Sequence, residues 1–597
     1  MRTTVLAFAL ALAACSGGTP APVPAPAPAL ASAPAPAPAP PRFPADWPYT
    51  QGAPSPHGKS GMVVTDNAIG TKVGVAVLAS GGNAVDAAVA TAFALAVAFP
   101  TAGNIGGGGF LVARVDGKPY ALDFRETAPG AATRDMYLGP DGKTTRDSRE
   151  GWRSVGVPGS VAGLWEAWHR LGSHQKTWAE LLAPAIELAD RGFPVDAAFD
   201  EGIGYLKDRL ARFPASAALF LPNGAPPPVG STWRDPDLAA VLRRIAAEGP
   251  AGFYQGPVAD ALARGMKDGG GLVTAADLAA YRAIWREPIL YTYRGRNIIG
   301  MPPPSSGAVT MAMIAHLLEG YDLRAMGWHS AEEVHLTAEA MRRAFAARNA
   351  KLGDPDFIHN PVDELLSDAW AREQRATIRL DRATPTKDLF PQLGAGVPSG
   401  PHTTNFSVVD AQGNAVALTT TLNAWFGSGV TVPGLGFVLN DEMDDFATVP
   451  GTANMFGLKQ GEPNAIAPGK RMLSSMSPTI VLGGAPGGGG NVELVLGGAG
   501  GSRIITAVFD ELSNAVDFGM DASDAVRAPR FHQQDSPDTL FLEPRALPAD
   551  VVQALRAMGH ETKDVEHLAD APAIGRDGGL WQGAPEPRRE GALGLGL

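Results

Sequence analysis

Apolar and polar residues alternate from Thr403 to Asp410 and again from Asn414 to Thr421, and Ala411-Gln412-Gly413 separates the two runs. Alternation broken by a Gly-containing turn predicts an antiparallel hairpin. If those three residues form the loop with Gly413 left-handed, Asp410 faces Asn414 and, counting outward, Thr421 faces Thr403. Two hydroxyls then stand side by side at the open end, followed by Asn423 and a Gly427-Ser428-Gly429 loop. Elsewhere the apolar period lengthens. Asn83 is placed to cap a helix running through Val85, Ala88, Val89, Ala92, Leu95 and Ala96 to Phe99, ended by Pro100. A Gly-rich turn, Gly103 to Gly109, leads into paired strands Phe110 to Arg114 and Tyr120 to Phe124 across Asp116-Gly117.

From Ser160 to about Arg286 the pattern is largely helical, with Val161 to Leu171, Trp178 to Arg191 and Ala239 to Glu248 as examples; Gly307 to Leu318 and Ala331 to Lys351 follow. Beyond the polar, Pro-rich stretch Ala383 to Pro401, strands are expected at Phe406–Val409, Ala415–Thr420, Thr479–Leu482 and Val492–Leu496, and helices at Arg503–Val516 and Pro548–Met558. Strands with flanking helices on both sides of Thr403 point to one interleaved α/β structure rather than separate domains.

Composition narrows the function classes. With 597 residues, 45% of them hydrophobic, the chain can bury a large core. A net charge of −12 without a Lys/Arg cluster argues against a nucleic-acid partner. The single cysteine, Cys15, precludes an intramolecular disulfide and a thiolate zinc site in the folded part. Met1-Arg2, an apolar run from Val5 to Ala14 and Leu12-Ala13-Ala14-Cys15 resemble a bacterial lipoprotein signal, residues 1–14, with Cys15 lipidated. Acyl chains contribute about 0.8 kcal/mol per buried methylene, enough in combination for a membrane anchor. The Ala-Pro repeats within residues 15–46 read as an extended spacer, and the fold is expected to begin near Trp47. The expected location is the bacterial cell envelope, with a lipid anchor in a membrane and the periplasm-facing outer membrane as the expected site. Ala87 to Phe99 is too short to span a bilayer and reads as a buried helix.

The 11 histidines show no zinc-protease spacing, and no metal or cofactor is called for. The Gly103–Gly109 loop follows a helix and opens a strand, the reverse of a dinucleotide fingerprint, and lacks a P-loop lysine; close backbone packing near a site is its expected purpose. No Gly-x-Ser-x-Gly elbow joins a strand to a helix. A threonine nucleophile needs a base, and its own freed α-amine is one, with a pKa near roughly 7.7–8.0. The chemistry therefore turns on a backbone cut before Thr403.

Thr403-Thr404-Asn405-Phe406-Ser407-Val408-Val409-Asp410, Gly413-Asn414-Ala415-Val416, Thr421-Leu422-Asn423, Phe426-Gly427-Ser428-Gly429 and Leu439 to Phe446 are similar to the γ-glutamyltransferase (γ-glutamyltranspeptidase) family. Gly106 to Phe110, Asp123 to Glu126, Gly156 to Gly159, Pro303 to Gly307, Leu473 to Thr479, Gly500 to Arg503 and Pro585 to Gly591 fit as well, so the resemblance covers nearly all the folded chain. It implies an N-terminal-nucleophile hydrolase with a four-layer αββα sandwich (α/β, α+β), and self-cleavage between His402 and Thr403 into a large piece, 47–402, and a small catalytic piece, 403–597, that stay together as a heterodimer. It implies Thr403 as nucleophile, Thr421 as the residue holding its hydroxyl, and the Gly500 and Gly501 N–H groups as the oxyanion hole. Arg125, Ser474 and Ser475 would grip the substrate α-carboxylate, and Asn423, Glu442 and Asp445 its α-ammonium. Read alone, Asp441-Glu442-Met443-Asp444-Asp445 is a solvated turn, and Arg125 forms a structural ion pair with Glu126 or Asp123. The implied substrates are glutathione and related γ-glutamyl compounds, with water, amino acids or peptides as acceptors.

Two positions depart from the pattern. Asn405 stands where many members carry His. Phe456 lies in the lid-like segment Thr448 to Pro468, where some members have a Tyr bonded across the pocket; a looser lid is expected. The alternatives are a cephalosporin or glutaryl acylase of the same superfamily, disfavoured by the acids Glu442 and Asp445, and an unprocessed surface lipoprotein that only binds γ-glutamyl compounds.

Overall fold

The structure, a computed structural model, describes residues 41–389, 403–484 and 489–597. Cys15, the spacer residues before 41 and His402 lie outside them.

The hairpin forms in the register that the loop count gives. Thr404 pairs with Thr420 and Val409 with Ala415, the Asp410 N–H donates to Asn414 O, and Gly413 has φ 78°. This hairpin is the centre of a seven-stranded antiparallel sheet. Its order is Leu593–Gly596, Met62–Thr65, Thr404–Val409, Ala415–Thr421, Gly108–Val115, Lys118–Phe124, Ile284–Arg286. A second seven-stranded sheet runs His57–Gly58, Leu580–Ala584, Ala573–Asp577, Val492–Leu496, Thr479–Leu482, Arg296–Gly300, Ile289–Tyr293. Both sheets mix strands from before and after Thr403, so neither stretch could close its own sheets.

Side-chain alternation builds the layers. Along Thr404–Val409, Phe406 and Val408 join the apolar cluster with the Ala84–Ala98, Ser160–Leu171 and Trp178–Arg191 helices. Val409 points the other way, into the cluster shared with the second sheet, where Ser407 Oγ donates to Val495 O at 3.5 Å. Helices Gly307–Leu318, Ile504–Val516 and Ala522–Arg527 pack near the second sheet's outer face. The result is helix, sheet, sheet, helix, the four-layer arrangement expected.

Local rules hold where they were applied. Asn83 caps Ala84–Ala98 through the N–H groups of Val85 and Asp86, and Asp86 returns a bond to the Asn83 N–H. Every residue of that helix is buried, which explains an apolar run without a polar face. A Cβ on Gly107 would sit 2.1 Å from Thr421 O and one on Gly109 2.3 Å from Thr419 O, so the Gly-rich stretch lets its backbone lie directly against the hairpin's second strand. Unforeseen were two hairpins of the second sheet, Ile289–Tyr293 with Arg296–Gly300 and Ala573–Asp577 with Leu580–Ala584. The second turns at Gly578-Gly579, both with positive φ, a dipeptide signal available in the sequence.

Candidate active site

At the open end of the hairpin, Thr403 Oγ1 lies 3.0 Å from Thr421 Oγ1. Thr421 Oγ1 also accepts the Asn423 N–H at 2.8 Å, and its own proton has two acceptors in reach, Thr403 Oγ1 at 3.0 Å and the more distant Asn423 O at 3.5 Å. Thr403 is buried and has φ 93°, a strained setting for a β-branched residue directly at the expected cleavage point. The next residue is pinned: Thr404 Oγ1 donates to the buried Asp66 at 2.8 Å, whose pKa burial pushes up to about 7. At the first departure from the family pattern, the Asn405 amide meets the Thr419 hydroxyl at 2.8 Å within the sheet.

Gly500 (φ 146°) precedes and Gly501 (φ 62°) opens a tight turn, Gly501–Arg503, that feeds the Ile504–Val516 helix. N–H groups at a helix start are unpaired and carry partial positive charge, the setting that stabilises an oxyanion. Gly501 lines the Thr403 cavity together with Thr421 and Asn423. A Cβ on Gly501 would lie 2.3 Å from the Phe456 ring, so the lid residue sits directly on it.

Opposite, the fully buried Arg125 is held from both sides. Its Nη1 pairs with Glu442 Oε1, its Nη2 with Asp445 Oδ2 at 2.5 Å, and its Nε donates to Met472 O at 3.3 Å. The acidic run is therefore a buried turn, Glu442–Asp445, and not a solvated one. Of the two simple ion-pair alternatives, Glu126 stands farther off at 3.9 Å, and Asp123 takes only the main-chain N–H of Arg125, its other carboxylate oxygen pairing with Arg286. The residues expected to grip carboxylate and ammonium thus close on one another. Burial raises the pKa of Glu442, Asp445 and Glu126 while Arg125 pulls each back; Glu126, with neither oxygen hydrogen-bonded, reaches about 8. The acids in turn raise Arg125. Asn423 donates its side-chain amide to Asp441 O at 3.0 Å, and Ser474 and Ser475 line the same cavity.

The Thr448–Pro468 segment closes over these groups. The Met455 N–H donates to Asp444 Oδ2 at 2.8 Å, Gln460 and Asn464 amides donate to Asp445 O at 2.9 and 2.7 Å, and Gln534 Nε2 donates to Phe456 O at 3.0 Å. Main-chain and amide bonds fasten this lid where a ring hydroxyl is lacking. The cavity left beneath it is about 20 Å³, close to a single water. Asp66, Arg348 and Gln460 were not foreseen. Arg348 lies on the Ala331–Lys351 helix, whose residues Glu333 to Asn349 are buried without interruption, so no apolar stripe marked which charge faced the site.

Paired antiparallel sheets between helix layers, with a hydroxyl residue at the inner end of a central strand, define an N-terminal-nucleophile hydrolase. The gamma-glutamyltranspeptidase family profile matches residues 70–595, and the chain belongs to that family. It is 46% identical over 557 residues to a glutathione hydrolase proenzyme from Pseudomonas sp. (strain A14), spanning 90% of this chain and 94% of that one. It is 40% identical to the acylase ACY 1 proenzyme of Pseudomonas sp. (strain V22), spanning 88% of this chain and 91% of that one. Among solved structures, cephalosporin acylase from Bacillus halodurans superposes with a TM-score of 0.79 at 28% identity, covering 93% of this chain and 99% of that one.

Proposed function

We propose that this protein is a self-processing γ-glutamyl transferase and hydrolase that cleaves the γ-glutamyl amide of glutathione and related compounds. The observation that carries the reading is the convergence, around one small cavity, of the Thr403–Thr421 hydroxyl pair, Gly501, Arg125, Asp445 and the two serines. An amide bearing a carboxylate and an ammonium is the ligand whose charges those groups complement. The relatives named as glutathione hydrolase proenzymes support it.

In this reading the chain cuts itself between His402 and Thr403 and the pieces 47–402 and 403–597 remain one heterodimer. The new Thr403 α-amine takes the hydroxyl proton as Oγ1 bonds to the γ-carbonyl carbon, and the carbonyl electron pair moves to an oxyanion facing the Gly500 and Gly501 N–H groups. Collapse breaks the C–N bond, and the α-ammonium returns its proton to the leaving amine. Water or an amino-acid or peptide amine then attacks the Thr403 ester, giving glutamate or a new γ-glutamyl amide and freeing the hydroxyl. Because the cavity holds about one water, the lid must lift from Gly501 before substrate seats, and the substrate charges then replace the Arg125 contacts to Glu442 and Asp445. Anchoring through lipidated Cys15 at the periplasm-facing outer membrane is part of the proposal, supported by the basic-apolar-Cys order of residues 1–15.

Intact-mass and N-terminal analysis of the purified protein tests both ends: a fragment starting at Thr403 and a lipidated Cys15 are expected, and Thr403→Ala should give one uncut, inactive chain. An uncut, active wild type would sink the mechanism. The ACY 1 relative favours one second reading, a glutaryl or cephalosporin acylase. Turnover of γ-glutamyl against glutaryl p-nitroanilide separates the two, and the acids Glu442 and Asp445 predict preference for γ-glutamyl.

A further inference from the structure

Arg348 is fully buried beside the same cavity and plays no part in the chemistry above. Its side-chain hydrogen bonds all end on neutral oxygens. Nε donates to Ser306 Oγ at 3.0 Å, Nη1 to Asn349 Oδ1 and Gln460 Oε1 at 2.9 Å each, and Nη2 to Ser475 Oγ at 3.3 Å. No carboxylate among the described residues forms an ion pair with it. The acid that acts on it electrostatically is Asp445, already taken by Arg125. Burial lowers the Arg348 pKa to about 10, which leaves it charged at neutral pH.

A guanidinium only donates, so each contact fixes which way its partner points. Because Ser475 Oγ accepts from Arg348, its own proton is left to donate elsewhere, and Ser475 lines the cavity. Ser306 accepts from Arg348 and uses its N–H and O–H to bond Ser474 O at 2.8 and 2.6 Å, fixing the peptide that carries Ser474. One cation thus sets both serines. An unpaired buried charge is costly, and an anion placed at Ser474 and Ser475 would supply the missing countercharge.

We propose that Arg348 is a positioning and specificity-determining residue which, through Ser306 and Ser475, turns the Ser474–Ser475 donor pair toward the substrate α-carboxylate and holds an uncompensated positive charge behind it. The proposal rests on the γ-glutamyl reading of the site and adds a second cation to it: Arg125 meets the substrate directly, whereas Arg348 acts through hydroxyls.

The test compares L-γ-glutamyl-p-nitroanilide with γ-aminobutyryl-p-nitroanilide, which keeps the amine and lacks the α-carboxylate. Arg348→Met should raise KM for the γ-glutamyl substrate by about ten- to a hundredfold, the worth of a lost charge-assisted contact, with kcat changed by less than about threefold. KM for the γ-aminobutyryl substrate should move less than about twofold, because it never used the donor pair. Arg348→Lys, which restores charge without the fork, should recover part of the loss. An equal loss on both substrates would mark Arg348 as a structural strut and overturn the proposal, as would an unchanged KM. If Arg348→Met does not fold or process, the same substrate ratio is read on Arg348→Lys and Arg348→Gln, and in the uncut Thr403→Ala background the thermal shift by L-glutamate is compared with that by γ-aminobutyrate. Loss of the glutamate shift alone supports the proposal; equal retention overturns it. A wild type that does not discriminate between the two anilides would instead defeat the γ-glutamyl reading itself.

Discussion

Arg125 lines the cavity and Arg348 stands behind Ser475 in its wall; both are fully buried, yet they live in opposite electrostatic worlds. Arg125 is enclosed by Glu126, Glu442 and Asp445, and these acids raise its pKa; Arg348 is surrounded by Ser306, Asn349, Gln460 and Ser475, and burial lowers it. The lesson is that burial alone does not define a buried charge: what matters is whether its partners are acids or neutral oxygens. Around Arg125 the site has two acids, Glu442 and Asp445, for which an ammonium is the natural addition, while Arg125 itself turns to the carboxylate. Around Arg348 it has an excess of positive charge for which a carboxylate is. The two ends of a zwitterion fit that difference.

The most severe way to break this contrast is Arg125→Met. It strands buried carboxylates, a loss of about 3–5 kcal/mol, and kcat/KM on the γ-glutamyl anilide is expected to fall by at least about a hundredfold. Steady-state kinetics with a denaturing gel to confirm processing checks it; a loss confined to processing would separate folding from recognition.

Next in size is the pH response of Glu126. Its pKa rises from 4.5 to about 8 on folding, so the folded state holds the proton that the unfolded state has lost between those values. Its contribution to stability is complete below pH 4.5 and is lost as pH rises through 8, with a slope of about 1.4 kcal/mol per pH unit inside the window. Glu126→Gln should flatten that part of the wild-type profile, read as thermal unfolding from pH 5 to 9. An unchanged profile would show that Glu126 is ionised beside Arg125.

Asp445→Asn removes the negative partner that Arg125 and an incoming ammonium share. It should cost about 1.5–3 kcal/mol of transition-state binding and, at the same time, improve glutaryl turnover relative to γ-glutamyl, measured as the ratio of kcat/KM values. The smallest effect is expected from Gln460→Ala, which takes one neutral acceptor from Arg348 and one lid contact to Asp445 O. Stability should fall by about 1 kcal/mol in denaturant unfolding, with lid proteolysis faster in the absence of glutamate.

The sequence by itself determined the elements whose causes are local. The three-residue loop placed Gly413 at positive φ and so put Thr421 beside Thr403, and Asn83 with Asp86 marked the start of a buried helix. The motifs around Thr403, Arg125 and Asp445 were legible too, as a family resemblance. Tertiary structure alone decided how the charges pair. Arg125 reaches Glu442 and Asp445 across 317 and 320 residues, Arg348 reaches Ser475 across 127, and Phe456 settles on Gly501. Turns and caps are written by φ preferences and hydrogen bonds within a few residues. A buried ion pair depends on which distant groups share one dry cavity, and no period along the chain records that.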